Sequence, residues 1–303
     1  MEKFGGKTYA DDFRSGYVAI LGAPNVGKST LLNKLLGEKI SITSRKPQTT
    51  RNRIIGVHHR PSSQIVFLDT PGVHSARSLF NKRIVEVALS TIADVDAILL
   101  VTDVAGRQRQ EENPLLKTLS GKKNQPVFLV LNKIDLIEKK KLLPEIQFWS
   151  ERFSFEAVFP VSAKYGTGLE SMVLTLEDTL PPGPPFFPED ALTDLPARFI
   201  AAEIIREKTF RFTGQEIPYS IAVTVEAFEE HQEISRILAT IHVERDSQKG
   251  IIIGKGGKMI KKIGESARKD IEMLLNSRVF LKLFVRVQKH WTKDARALRN
   301  LGY

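Results

Sequence analysis

The chain has 303 residues, 42% hydrophobic and 26% charged, enough apolar mass for roughly two packed cores and too much for wholesale disorder. Apolar runs stop at about five residues, against the ~20 of a membrane-spanning helix; residues 1–16 lack the apolar stretch of a signal peptide, and the absence of cysteine excludes disulfides, thiolate catalysis and cysteine-ligated metal centres. The 45 basic against 35 acidic residues, net +10, attract polyanions, either nucleic acid or an anionic membrane surface, and carry no information about fold.

After an extension over 1–14, an apolar β-rich run at 17–21 leads into Gly22-Ala23-Pro24-Asn25-Val26-Gly27-Lys28-Ser29. This string fits G-x-x-x-x-G-K-[ST], and a helix-period segment over 28–36 follows it through Thr30. In that strand–loop–helix setting the glycines let backbone N–H groups wrap a β-phosphate, with the positive end of the helix aimed at the same group. Lys28 then bridges the β- and γ-phosphates, and Ser29 offers its hydroxyl to Mg²⁺.

Further strands are expected at 54–57, 65–68, 97–101, 127–131 and 157–161, and helices at 83–92, 111–119, 142–152 and 168–180. Several of the runs are apolar without alternation, as strands covered on both faces are. The alternation of strand and helix predicts a doubly wound, mostly parallel α/β domain over 15–180. Asp69-Thr70-Pro71-Gly72 ends one strand, so Asp69 can reach Mg²⁺ through water and the Gly72 amide can contact the γ-phosphate. Asn132-Lys133-Ile134-Asp135 ends another; the Asp135 carboxylate suits the two donors on guanine's N1/N2 edge, which adenine lacks. Ser162-Ala163-Lys164 ends the last, where the Ala163 N–H can meet guanine O6.

Five prolines between Pro181 and Pro188 mark 181–195 as a stiff, partly extended linker. Beyond it the pattern reads helix (196–208), strand (219–227), strand (234–245), short helix (near 248–253), glycine turn, long helix (258–276) and strand (279–288), an α+β plan over 196–290. Residues 183–244 carry net −6 and residues 245–303 net +10, so the basic excess is concentrated at the C-terminal end. There Gly254-Lys255-Gly256-Gly257 forms a G-x-x-G turn followed by Lys258 and Lys261, a backbone that can approach a phosphate chain closely with cations beside it. Ile251, Ile252, Ile253, Ile260 and Ile263 either floor a groove for splayed bases or pack a core. The competing reading of the long helix is a basic amphipathic segment lying on an anionic membrane. Residues 291–303 form a basic tail that extends the RNA surface or caps the domain.

The four nucleotide motifs resemble the translation-factor-related GTPases, and the G-x-x-G turn with its flanking elements resembles a type II KH domain. Joined through the Pro-rich segment, they resemble the Era family of GTPases over nearly the whole chain. The resemblance implies a bacterial, cytoplasmic GTPase with slow intrinsic hydrolysis that binds GTP or GDP with Mg²⁺. It implies binding to the three-prime end of small-subunit ribosomal RNA and assistance to 30S subunit assembly, with RNA binding coupled to nucleotide state. It requires no obligate protein partner, and the basic surface leaves room for peripheral contact with the inner face of the cell membrane. Lys46-Pro-Gln-Thr49-Thr50-Arg51 looks like the first switch, with Thr50 as the Mg²⁺ and γ-phosphate threonine and Thr49 as the adjacent alternative. Lys28, Thr50, Asp69 and Gly72 are the expected catalytic set. Val73 stands where Ras-type enzymes carry the glutamine that orients the attacking water, so the water must be placed otherwise. Asn25 matches the asparagine that ligates K⁺ in this group. Two rival classes remain: a metabolic nucleotide kinase, which needs no guanine-selecting Asn132 and Asp135, and a binding module with a degenerate site that hydrolyses nothing.

Overall fold

A computed structural model of the chain resolves it into two units, one built of Met1–Ser41, Thr50–Ser75 and Ile84–Asp194 and the other of Ile42–Thr49, Ala76–Arg83 and Leu195–Tyr303. The described residues are 12–43, 49–72, 86, 90–91, 94–106, 115–120, 125–213, 221–231 and 233–303, with the backbone alone of 3–4, 7–8 and 114. The expected helix at 83–92 falls almost wholly outside them, as do Val73, Lys46-Pro-Gln48 of the first switch and the start of the strand expected at 219.

In the first unit β1 (Lys3–Phe4) and β2 (Lys7–Thr8) form an antiparallel pair. The main strands are β3 (Arg14–Gly22), β4 (Ile54–His59), β5 (Ser63–Asp69), β6 (Ala97–Asp103), β7 (Val127–Asn132) and β8 (Val158–Val161). They lie in the order β4-β5-β3-β6-β7-β8, parallel throughout except for β4 against β5. Every residue of β5 and β7 is buried, which explains why these segments read as unbroken apolar runs. The described helices of this unit are α1 (Lys28–Leu36), α2 (Pro114–Ser120), α3 (Leu142–Ser150) and α4 (Leu169–Thr179). The chain leaves β3 toward β5 on one side and later returns to β6 on the other. The strand order therefore reverses at β3, and the crevice outside its carboxyl end is where a ligand of such a sheet sits.

The Pro-rich segment, expected as a linker over 181–195, is part of the first unit as far as Asp194. Its hydrogen-bonding groups are spent on the neighbouring strands. Gly183 N donates to Phe13 O at 2.9 Å, Ser15 Oγ to Pro184 O at 2.6 Å, Val57 N to Leu192 O at 2.9 Å and Thr193 Oγ1 to Ile55 O at 2.6 Å. Phe186 stacks on Tyr17 with ring centroids 4.9 Å apart. Part of the physical reason is the outer edge of β4, whose unpaired backbone groups need partners; Leu192 and Thr193 of this strap supply them at Val57 and Ile55.

The second unit contains α5 (Ala197–Phe212), β9 (Ala222–Glu229), β10 (Ile234–Val243), α6 (Asp246–Ile253), α7 (Lys258–Leu275), β11 (Arg278–Val287) and α8 (Ala295–Asn300). Its sheet runs β11-β10-β9, with β9 antiparallel and β11 parallel to β10, so α6 and α7 form the crossover. Ile237, Ala239, Ile241 and Val243 of β10 pack with Ile252, Ile263, Ala267 and Ile271 in one core. The apolar stripe of α7 is thus spent inside the unit, which overturns the membrane-lying reading of that helix. Lys208 of α5, itself buried, pairs with Asp270 of α7 at 2.5 Å. The C-terminal tail packs on its unit, as the capping alternative expects: Trp291 is fully buried and stacks on Tyr303, and Asp294 caps α8 by accepting from Arg296 N at 2.8 Å. No described helix is long and apolar enough to cross a membrane.

The strap hangs on Gln64, which is 1% exposed; its Oε1 accepts from Phe186 N and Phe187 N, and its Nε2 donates to Phe187 O. Gln64→Ala leaves those backbone groups without their partner and should cost about 2–3 kcal/mol of stability, measured by urea denaturation.

Candidate active site and nucleic-acid interface

The carboxyl ends of β3, β5, β7 and β8 carry all four nucleotide motifs. The loop after β3 turns through left-handed backbone at Asn25 (φ 65) and Gly27 (φ 102). Glycine is required at Gly27 on space as well, because a Cβ there would lie 2.3 Å from Asn132 Nδ2. Lys28 opens α1 and is buried; its Nζ donates to Gly22 O at 3.1 Å and Ala23 O at 2.9 Å. Burial pushes its ammonium down to about 8, partly offset by the Asp69 carboxylate.

Asp69 at the tip of β5 is the centre of a hydroxyl cluster. Ser29 Oγ donates to its Oδ2 at 2.7 Å and Ser41 Oγ donates to the same oxygen at 2.9 Å. Ser29 Oγ and Thr50 Oγ1 lie 2.8 Å apart, within hydrogen-bond distance. The hydroxyl of Thr50, the residue expected in the first switch, thus joins this cluster. The other Asp69 oxygen, Oδ1, is buried with no hydrogen-bond partner among the described residues. Burial pushes the carboxyl up, while Lys28 and the three hydroxyls pull it back. Thr70 is fully buried and donates to Ile20 O at 2.8 Å, so its side chain braces β3 rather than facing the crevice. Gly72 abuts the phosphate loop closely: a Cβ there would lie 2.7 Å from Pro24 N.

At the end of β7, Asn132 Nδ2 donates to Val26 O at 2.8 Å, and Asn132 Oδ1 accepts from Lys133 N at 2.8 Å and Ala163 N at 3.0 Å. The Ala163 amide, expected to meet the base, is thus engaged by Asn132, because a buried amide oxygen needs a donor. Ser162 Oγ donates to Asp135 Oδ1 at 2.6 Å and fixes the direction of that carboxylate. Lys164 lies over the Tyr165 ring, 4.7 Å from its centroid. Sequence reading missed Ser41; the Asn33 side chain, which accepts from Ser41 N at 2.9 Å and donates to Ser41 O at 2.7 Å, helps to hold that residue at the cluster.

In the second unit the turn between α6 and α7 uses positive φ at Gly254, Gly256 and Gly257. A Cβ at Gly254 would meet Met259 Cβ at 2.7 Å, whereas Gly256 and Gly257 border open space. Lys255, Lys258 and Lys261 are exposed around it. Ile252 and Ile263 belong to the core, while Ile251 is 39% exposed. A cavity of about 590 Å³ runs beside α6, lined among others by Asp246 and Lys249 of that helix and by Phe284 and Arg286 of β11. Phe284 and Arg286 escaped sequence reading because an alternating strand does not reveal which edge borders a groove.

Comparison with known proteins bears on both units. A 50S ribosome-binding GTPase family model matches residues 17–133, and a KH domain model matches residues 216–292. The GTPase Era of Geobacter metallireducens is 56% identical over 293 residues, covering 96% of this chain and 98% of that protein. The chain belongs to the Era family of GTPases. Among solved structures, an Aquifex aeolicus Era variant bound to GDP and AlF₄⁻ superposes with a TM-score of 0.92 at 40% identity, covering 96% of this chain and 99% of that one. An Era in complex with MgGDPNP and nucleotides 1506–1542 of 16S ribosomal RNA superposes equally well at 41% identity, with the same coverage of both chains. As a member of the Era family the chain binds GTP and GDP and hydrolyses GTP, which removes the kinase and the degenerate-site readings.

Gly27→Ala combines left-handed backbone with a clash on Asn132 and should weaken GDP binding by about tenfold or more, measured by fluorescent-nucleotide titration.

Proposed function

We propose that this Era-family GTPase binds the three-prime end of small-subunit ribosomal RNA through its KH unit and assists 30S subunit assembly in the cytoplasm, with RNA binding coupled to the nucleotide held in the first unit. The observation that carries the RNA reading is the exposed Gly254–Gly257 turn with Lys255, Lys258 and Lys261 around it, which follows directly on the helix α6 that borders the cavity. The turn suits a phosphate backbone, and Phe284 with Arg286 suits stacking and charge contact with unpaired bases. The related Era in complex with a 16S ribosomal RNA segment supports the same assignment.

For the nucleotide, the phosphate-loop amides and Lys28 hold the phosphates, Gly72 approaches the loop over the γ-phosphate position, and Asp135 reads the guanine N1/N2 edge. The residues present fit a divalent cation: Ser29 and Thr50 bring hydroxyl oxygens to Asp69, and one Asp69 oxygen is buried with no described partner. Ser29, Thr50 and Asp69 would hold Mg²⁺, Asp69 through water, and the ion would neutralise charge developing on the phosphate oxygens. The protein's own part is to fix the phosphates and exclude solvent from them. Valine at position 73 supplies no hydrogen bond to the attacking water, so intrinsic turnover is slow. Asn25, exposed in the phosphate loop, offers an amide oxygen to K⁺.

Lys28→Ala should abolish GTP turnover in a phosphate-release assay. Asp135→Asn should exchange guanine for xanthine preference, because an amide can donate to the xanthine C2 carbonyl; unchanged GTP preference would overturn the base-reading role. The affinity of the intact protein for a 16S three-prime RNA oligonucleotide should be higher with a GTP analogue than with GDP, and equal affinities would sink the coupling. Gly256→Asp adds a negative charge at the turn and should lower that RNA affinity by about tenfold, read by filter binding.

A further inference from the structure

Asp103 ends β6 and was not singled out by any nucleotide motif, yet both of its carboxylate oxygens are engaged. Oδ1 accepts from Ala105 N at 2.9 Å and fixes the turn that follows the strand. Oδ2 accepts from Lys133 Nζ at 2.6 Å. The same ammonium donates to the Asn25 carbonyl at 2.7 Å. One ammonium therefore joins three loops, those following β3, β6 and β7. Val104 N also donates to Asn132 O at 3.1 Å, which holds the β6 turn against the base-reading loop.

Two of the joined residues sit in left-handed backbone, Asn25 with φ 65 and Lys133 with φ 67. That conformation is unfavourable for residues bearing a Cβ and persists where the surroundings hold it. Lys133 carries a long flexible stem, so a second partner for its ammonium removes rotamers that binding would otherwise have to freeze. The pair is partly shielded, with side chains 30% and 20% exposed, so its contribution is modest rather than that of a dry ion pair.

We propose that Asp103 is a positioning residue for guanine-nucleotide binding: it presets Lys133 and, through the Asn25 carbonyl, locks the base-reading loop to the phosphate loop. Asp103 needs no contact with nucleotide for this; its effect passes through Lys133. Replacing it should raise the dissociation constant of GDP and the KM for GTP while leaving turnover at saturation nearly unchanged, because the phosphates and the hydroxyl cluster around Asp69 are untouched.

The test is a double-mutant cycle on the full chain with Asp103→Asn, Lys133→Met and both together, read by GDP titration, GTP kinetics and thermal melting. Asp103→Asn is expected to raise the GDP dissociation constant by about fivefold with the melting temperature held within a few degrees. In the Lys133→Met background the same change is expected to add nothing, and Asp103→Glu is expected to recover part of the affinity. An unchanged GDP affinity in Asp103→Asn overturns the proposal. So does an effect that persists undiminished in Lys133→Met, or a loss of affinity that follows a comparable loss of thermal stability.

Discussion

The nucleotide site depends on the side chain of one buried asparagine. Asn132 stands at the end of strand β7 and is 2% exposed, so both ends of its amide must find partners. Its nitrogen donates to the phosphate loop at Val26, and its oxygen accepts from Lys133 and from Ala163. Three loops from β3, β7 and β8 are thereby set at hydrogen-bond distance from one amide. Gly27 has to lack a side chain because Asn132 already occupies that space. The requirement for glycine in the phosphate loop is therefore partly a requirement of Asn132 at the end of β7, which simple phosphate wrapping would not indicate.

Around Asp69 the balance is electrostatic rather than steric. A carboxylate and an ammonium are both buried within one crevice, and burial disfavours the charged form of each. Their mutual attraction offsets part of that cost, and three hydroxyls from Ser29, Ser41 and Thr50 supply more. The KH unit uses the opposite arrangement: its cations, Lys255, Lys258 and Lys261, are exposed on a solvated turn, while its pairing of Lys208 with Asp270 is hidden in the interior. Surface lysines are suited to attracting a polyanion; the buried pair ties α5 to α7.

Much of the fold was legible in the sequence, for reasons visible in particular segments. β5 and β7 are buried on both faces, so their composition announces them without periodicity. The phosphate loop was legible because glycine and lysine at fixed spacing are forced by backbone geometry. The Pro-rich segment was misjudged as a linker because proline content reports local stiffness, and nothing local reports that the edge of β4 lacks hydrogen-bond partners. Ser41 and Asp103 were invisible for the same reason. Each acts on a residue 28 or 30 positions away in the chain, and no short-range pattern encodes such a meeting.

By itself the sequence determined the strand–helix alternation, the phosphate loop, the Asn132-Lys-Ile-Asp135 motif at a strand end, the G-x-x-G turn and the concentration of positive charge around it. These follow from side-chain chemistry, backbone conformation and spacing within a few residues, all of which are local. The tertiary structure alone decided that Thr50 joins the hydroxyl cluster, that Ala163 is engaged by Asn132, that the apolar stripe of α7 faces a core, and that the proline strap bonds to the edge of β4. Those outcomes depend on which buried polar group finds which partner once distant strand ends are brought side by side, and that choice exists only when the chain has folded.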